Sequence, residues 1–457
     1  MVFRYCGLAG ISASATFVQN SRLPMTRTLI LGAGVAGLTA AHALSGRGDS
    51  VTIIDSFAHI GGSHRSFQID GMTFDIGSIF FWKQYKLFEM FPACREACVL
   101  TRYATQRLNP AGEVSEYPFA LSEVLWQSPL GLGRSALDYC RGHLNRRTPA
   151  NAQEVCEQLF GRYLYRTLGL QHHMDRFYGV PATQIDPLFV ERRMQFLVQA
   201  ASLKGFGDRI LRAFKATLRK PDKRSKPRAL VRPFGGFSEL YQPARAQLER
   251  GGAIFILGAE IASIARDRAD FVVTGSFGRE HFNQIVNTIP LDMIWPVIGK
   301  TEELPIKYSP LQTLFISHAG PIGFSAPILY NFHDSGRWKR LTMHSEAYGL
   351  VDGRCYFSVE FPNCPLAKGN PEDLFEAFAT SVKELGLFRG DLTLHGHFLT
   401  DKAYPVYTIG VQGVLDAMFR ELDELGIITA GRQGRFDYLP TSNLVAAAVL
   451  SKVGAQS

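Results

Sequence analysis

Four residues near the start of the chain have the types and spacing to hold a dinucleotide. Gly32, Gly34 and Gly37, in GAGVAG, fill the pattern G-x-G-x-x-G. Each has a separate physical role. Gly32 permits a tight turn, Gly34 lets the backbone approach a pyrophosphate, and Gly37 lets a helix pack closely on a strand. Asp55 follows Gly37 by 18 residues, close to the roughly 20-residue spacing of the carboxylate that takes a ribose hydroxyl. The context agrees. TLIL before the glycines is a short apolar run, AGLTAAHAL after them reads as helix, and VTIID ending at Asp55 is β-rich. A helix opening on the glycines offers free N–H groups and a positive dipole end to phosphates. The pattern serves nicotinamide and flavin dinucleotides alike.

A second glycine pair comes six positions after Asp55, in GGSHRSFQIDGMTFDIGS. Gly61, Gly62, Arg65 and Ser66 resemble the G-G-x-x-x-S element of one flavoprotein superfamily. Amine oxidases, protoporphyrinogen oxidases, carotenoid desaturases and UDP-galactopyranose mutases belong to it. The resemblance implies FAD as the cofactor, with the backbone of Gly61 and Gly62 against its diphosphate and ribityl chain and Arg65 adding charge. FQIDGMTFDIG, turning at Gly71, is similar to the superfamily's short hairpin. PFGGFSELYQPARAQLERGGAIFILGAEIASI reads as loop, helix, turn and strand, and the resemblance sets the backbone of Glu260 and Ile261 at the adenine. In GIITAGRQGRFDYLPTSNLVAAAVLSKVG, Gly431 and Arg432 match the final FAD contact, and a helix from about Ser442 aims its N-terminus at the flavin.

Within the superfamily, several stretches are similar to the galactopyranose mutases. LFGRYLYRTLGLQHHMDRFYGVPATQI resembles their aromatic-rich helix, turn and proline, and Arg192 and Arg193 stand in the region of their arginine pair. AYPVY resembles their Tyr-Tyr-Pro-Val, and GRQGRFDY their Gly-Arg-x-Gly-x-Tyr-x-Tyr. On that likeness Arg340 would hold a nucleotide-sugar diphosphate and Tyr438 would stand beside the flavin, making these two the candidate catalytic residues. The departures are equally specific. Where the mutases carry Gly-Pro-His-Ile-Phe-His over the flavin, this chain reads Gly77-Ser78-Ile79-Phe80-Phe81-Trp82, without either histidine. Their tryptophan-glycine turn is Tyr178-Gly179 here, and Pro440-Thr441-Ser442-Asn443 replaces a late aspartate. The expectation is an FAD-dependent oxidoreductase that oxidises or desaturates a small molecule. One alternative is redox-neutral isomerisation of a nucleotide sugar, as in the mutases; a second is non-catalytic carriage on the same fold. The complete glycine set argues against the carrier.

Such a site needs an α/β fold: a Rossmann-type FAD-binding domain interleaved with a mixed α+β substrate domain. The expected division assigns 25–80, 228–300 and 400–457 to the FAD-binding domain and 81–227 and 301–399 to the substrate or cap domain. A chain of 457 residues is too long for one core, and its 33 Phe and 16 Tyr supply aromatic surface for a pocket. The seven Cys show no metal-like spacing, so neither a metal site nor a disulfide framework is expected. Cys94 and Cys98 read as one helix face. The first 24 residues, without an acidic side chain, read as an extension ahead of a fold starting at Met25. No run of 18 apolar residues occurs, so no spanning helix is expected. Positive charge is local: residues 204–232 hold eleven Lys and Arg against two Asp, a net of +9, beside +8 for the whole chain. No nucleic-acid motif accompanies this segment. A solvated helix or peripheral contact with an anionic membrane remains, in a cytoplasmic protein whose partner is a small molecule, with nucleotide sugars and lipid-linked compounds as candidates.

Overall fold

The computed structural model describes residues 25–77, 80–119, 123, 129–144, 147–178, 180–194, 227–362 and 370–454. The extension expected at 1–24, Ser78, Ile79, Gly179 and residues 204–226 of the basic segment lie outside the described residues.

A parallel five-stranded sheet runs in the order Ile427–Thr429, Gln284–Asn287, Arg27–Leu31, Ser50–Asp55, Ile254–Leu257. Leu29, Ile30 and Leu31 are fully buried. Both faces of the sheet are covered, so its strands read as continuous apolar runs and not as alternation. The central strand Arg27–Leu31 has Ser50–Asp55 on one side and a strand from far along the chain, Gln284–Asn287, on the other. This reversal of strand order opens a crevice at the carboxyl end of the central strand, where doubly wound folds bind ligands. The Gly32–Gly37 turn occupies it.

Helix Val35–Gly46 starts at that turn. A Cβ on Gly37 would lie 1.8 Å from the Gly32 carbonyl oxygen, so only glycine lets the helix sit this close to its strand. The last helix, Ser442–Gly454, packs beside it, and Leu38, Ala41, Val445, Ala446 and Val449 share one apolar cluster. Each such Leu or Val stabilises the fold by roughly 1.5–3 kcal/mol on burial.

A seven-stranded sheet forms the other half, in the order Asp391–Val406, Lys307–Ala319, Cys355–Pro362, Arg340–Met343, Ile328–Asn331, Thr105–Leu108, Val114–Glu116. It is antiparallel except where Ile328–Asn331 pairs with Thr105–Leu108. Asp391–Val406 continues unbroken through residue 400. The hairpin Ser66–Ile69 and Met72–Asp75 turns at Asp70 and Gly71, both at positive φ (51° and 74°), as a two-residue hairpin turn of matching twist requires. Phe74 stacks on Phe315 and meets Tyr356 edge-on, which ties the hairpin to the large sheet.

One sequence reading changes here and one is kept. Arg232, counted with the basic segment, is no part of a charged surface: it is 1% exposed. Its Nε donates to both Asp75 oxygens, at 2.8 and 3.0 Å. Cys94 is buried and the Cys98 thiol donates to its carbonyl at 3.3 Å, the geometry of one helical turn. Among the described residues no group of three His, Cys, Asp or Glu could hold a metal, and no helix is long and apolar enough to cross a membrane.

Candidate dinucleotide and substrate cleft

One cleft of about 840 Å³ runs from the glycine turn, past the crevice of the parallel sheet, to the large sheet. Its floor is made by the two glycine elements lying against each other. Gly61 N donates to the Ala33 carbonyl at 2.9 Å, and Gly34 and Gly61 form an isolated parallel bridge. A Cβ on Gly34 would stand 3.6 Å from Gly62 Cα, an ordinary contact, and Gly34 has φ −77°, which any residue adopts. Protein packing therefore does not demand glycine at 34; a ligand that must touch the backbone does. The helix behind it has no side-chain cap and no acid in its first turn, so its leading N–H groups are free for an anion. Gly32, by contrast, needs its φ of +100°.

Asp55 closes this end. Its Oδ2 accepts from Ala33 N at 2.6 Å and its Oδ1 from Phe57 N at 2.8 Å. Burial pushes its carboxyl up, against the pull of those two N–H groups. Each oxygen retains a lone pair for a ribose hydroxyl.

Four cations line the cleft, Arg340 at its far end and Arg65, Lys402 and Arg432 nearer the glycines. Lys402 is paired with Asp292 at 2.7 Å. Arg65 lies over the Phe57 ring at 3.7 Å, and Arg432 over Tyr438 at 4.9 Å and Tyr404 at 5.6 Å. Neither arginine has a carboxylate ion-pair partner among the described residues. Arg432 donates from Nη2 to the Ala403 carbonyl at 2.6 Å, while its buried Nε bonds nothing. A buried donor left unmade costs on the order of 1–3 kcal/mol. The cradle thus has unspent positive charge where a diphosphate would supply the acceptor.

The far end is aromatic. Tyr103 meets Phe80 and Trp82 edge-on, each at 5.2 Å, and Tyr117 stacks on Tyr330 at 4.4 Å. Arg340 stands among them. Its Nε donates to Glu360 Oε1 at 3.0 Å, Nη2 to the same oxygen, and Nη1 to the Tyr330 hydroxyl at 3.3 Å. Lys339 Nζ lies 3.7 Å from the other Glu360 oxygen and donates to the Tyr404 hydroxyl at 3.1 Å. The Glu360 carboxylate holds the Arg340 guanidinium firmly charged, against the effect of burial.

Gly32, Gly34, Asp55, Gly61, Gly62, Arg65, Arg340 and Arg432 thus meet in this one cleft. The remaining sequence-derived residues do not line it. Gly37 packs on the turn, and a Cβ on Gly431 would lie 2.4 Å from Ala36 Cβ, so both glycines bring backbone elements together. Ser66 donates to Asp75 Oδ1 at 2.5 Å and accepts from Phe237 N at 3.0 Å. Ile261 opens the antiparallel strand Ile261–Asp267 and packs against the core. Tyr438, 3% exposed, stacks on Tyr404 behind Arg432, and its N–H donates to the Tyr407 hydroxyl at 2.9 Å.

Tyr85, Tyr103, Tyr117 and Tyr330 were not singled out by the sequence; they come from separate segments with no shared pattern. His64 was within reach, because it sits inside the second glycine element. In Phe80-Phe81-Trp82 the side chains alternate, Phe81 fully buried and its two neighbours on the cleft. Outside the cleft, Ser317 Oγ, His395 and Asp70 are linked at 2.9 and 2.9 Å in the order of a hydrolytic triad. Ser317 is fully buried and accepts from Arg354 Nε at 2.8 Å, so no substrate reaches it.

Comparison with known proteins follows the same division. Residues 30–93 match the NAD(P)-binding Rossmann-like domain family. Over 66 residues the chain is 46% identical to 4,4'-diapophytoene desaturase (4,4'-diapolycopene-forming) of Methylomonas sp, which is 14% of this chain and 13% of that protein. It is 39% identical over 67 residues to hydroxyneurosporene desaturase of Rubrivivax gelatinosus, 15% of this chain and 13% of that one. These matches span about an eighth of the curated relatives. The whole fold is similar to reduced UDP-galactopyranose mutase (TM-score 0.76, 20% identity, 94% of this chain and 95% of that). It is also similar to cyclohexylamine oxidase from Brevibacterium oxydans (TM-score 0.63, 15% identity, 94% and 98%). Over nearly the whole chain the fold is therefore the one that this mutase and this oxidase share.

Proposed function

We propose that the protein is an FAD-dependent oxidoreductase acting on a small molecule. The observation that carries this reading is the continuity of one cleft, from an uncapped helix N-terminus and an unspent arginine to an aromatic wall holding a charged one. FAD, when bound, supplies the electron and hydride chemistry. The chain's own residues bind and orient. Gly34, Gly62 and Arg432 receive the diphosphate and Asp55 a ribose hydroxyl. Tyr103, Tyr117 and Tyr330 exclude water from the substrate end, where Arg340 contacts a polar or acidic group. Tyr438 acts by holding Arg432 in place. The matched relatives, desaturases of diapophytoene and hydroxyneurosporene by name, put polyenes among the candidate substrates beside amines and nucleotide sugars.

Purified protein should be yellow and release FAD on denaturation. Under anaerobic conditions its substrate should bleach the oxidised flavin, and an acceptor should restore the colour. Candidate polyenes, amines and nucleotide sugars are mixed in turn. Turnover of a nucleotide sugar only after dithionite reduction, with no bleaching by any candidate, would replace this reading with isomerisation. A folded protein that takes up no FAD would leave the carrier.

A further inference from the structure

His64 lies between the second glycine pair and Arg65, on the wall of the cleft. Its ring stacks on Tyr241 and tilts against Phe237 with centroids 5.0 Å apart, and Phe81 meets it edge-on. Its Nδ1 is 2.5 Å from the Tyr241 hydroxyl. Among the described residues its Nε2 bonds nothing, and the Tyr241 hydroxyl has no second partner.

Those facts choose a tautomer. A hydroxyl has one hydrogen, and a buried hydroxyl that only accepts leaves that hydrogen unmade. Tyr241 stays protonated, since burial pushes its phenol well up. Its hydrogen has one acceptor within reach, His64 Nδ1, so Tyr241 donates and the neutral imidazole keeps its proton on Nε2. With Tyr241 on the Nδ1 edge and Phe237 and Phe81 packed against the ring, the Nε2 edge is the one left for the cleft.

We propose that His64 is a neutral hydrogen-bond donor to the bound dinucleotide, held in its Nε2–H tautomer by Tyr241. Burial and the nearby Arg432 charge keep the ring from protonating, lowering its pKa to about 4. The cradle gains a donor without gaining a third unpaired charge beside Arg65 and Arg432. The assignment rests on the FAD reading for the identity of the acceptor, and on the His64–Tyr241 geometry alone for the tautomer.

The test reads both. FAD retained on dilution of the holoprotein is followed by flavin fluorescence for wild type, His64→Leu, His64→Gln and Tyr241→Phe. Removing a donor to a charged acceptor should weaken FAD binding roughly ten- to a hundredfold in His64→Leu, and the amide of His64→Gln should recover most of it. Nitrogen NMR of histidine-labelled protein, assigned with His64→Gln, should show the Nε2–H form in wild type and a mixture in Tyr241→Phe. Folded His64→Leu with wild-type affinity, or an Nδ1–H signal in wild type, overturns the proposal. Wild-type protein that binds no FAD instead overturns the cofactor reading, and the nitrogen spectrum still decides the tautomer.

Discussion

Arg340 reaches the cleft with three of its five N–H donors engaged, two by Glu360 and one by Tyr330. Lys339 shares the same carboxylate, so the group of three keeps one net positive charge at the substrate end. Arg340→Ala should therefore lower kcat/KM roughly ten- to a hundredfold, the worth of a charge-assisted contact, while FAD content stays near wild type. Equal loss of FAD and turnover would place Arg340 in the scaffold instead. A second residue sets a pH limit. His344, 4% exposed, bonds Ser358 Oγ at 2.7 Å, and burial lowers its pKa to about 4. The unfolded chain, with histidine near the ordinary 6.5, binds more protons between these values. Stability is then complete above about pH 6.5 and is lost as pH falls toward 4, by on the order of 3 kcal/mol. Urea unfolding at pH 7 and 4.5 should show this loss, and His344→Gln should show less of it. Parallel losses in the two proteins would remove His344 as the cause.

Two glycines three positions apart do different work in the same turn. A Cβ on Gly37 would run into the Gly32 carbonyl at 1.8 Å, whereas one on Gly34 makes only an ordinary contact. Gly34→Val should accordingly keep a thermal midpoint near that of wild-type apoprotein and lose FAD. Gly37→Val should displace the helix from its strand and lower the midpoint sharply, with or without ligand. Melting curves of the two purified variants separate the effects; a Gly34→Val protein with full FAD occupancy would sink the assignment of the cradle.

Across the whole molecule, the Arg232–Asp75 pair locks the strand Arg228–Val231 to the hairpin that leads into the aromatic wall. Arg232 also donates to the Thr73, Pro233 and Phe234 carbonyls, so its charge is compensated and four of its five N–H donors are engaged. Removing one partner of a buried pair costs about 3–5 kcal/mol, because the other charge is stranded. Arg232→Met should lose stability on that scale, and Arg232→Met with Asp75→Asn should recover part of it. An additive double variant in urea unfolding would show that the pair is not the link between the halves.

The glycine end of the cleft was legible in the chain because its determinants are local. Gly32, Gly34, Gly37, Gly61 and Gly62 act through backbone conformation and close approach and Asp55 through its carboxylate, and each constraint is written in one residue type at a fixed spacing. Packing between distant segments decided the rest. Ser66 and Tyr438, adjacent in sequence to cleft residues, face Asp75 and Tyr404 instead. Arg232, part of a basic run, is drawn inward because Asp75 waits there. The aromatic wall draws Tyr103, Tyr117 and Tyr330 from elements more than two hundred residues apart at the extremes. Which face of a strand looks into the cleft depends on sheet register. That is set by long-range pairing such as Ile328 with Thr105, which no local pattern encodes.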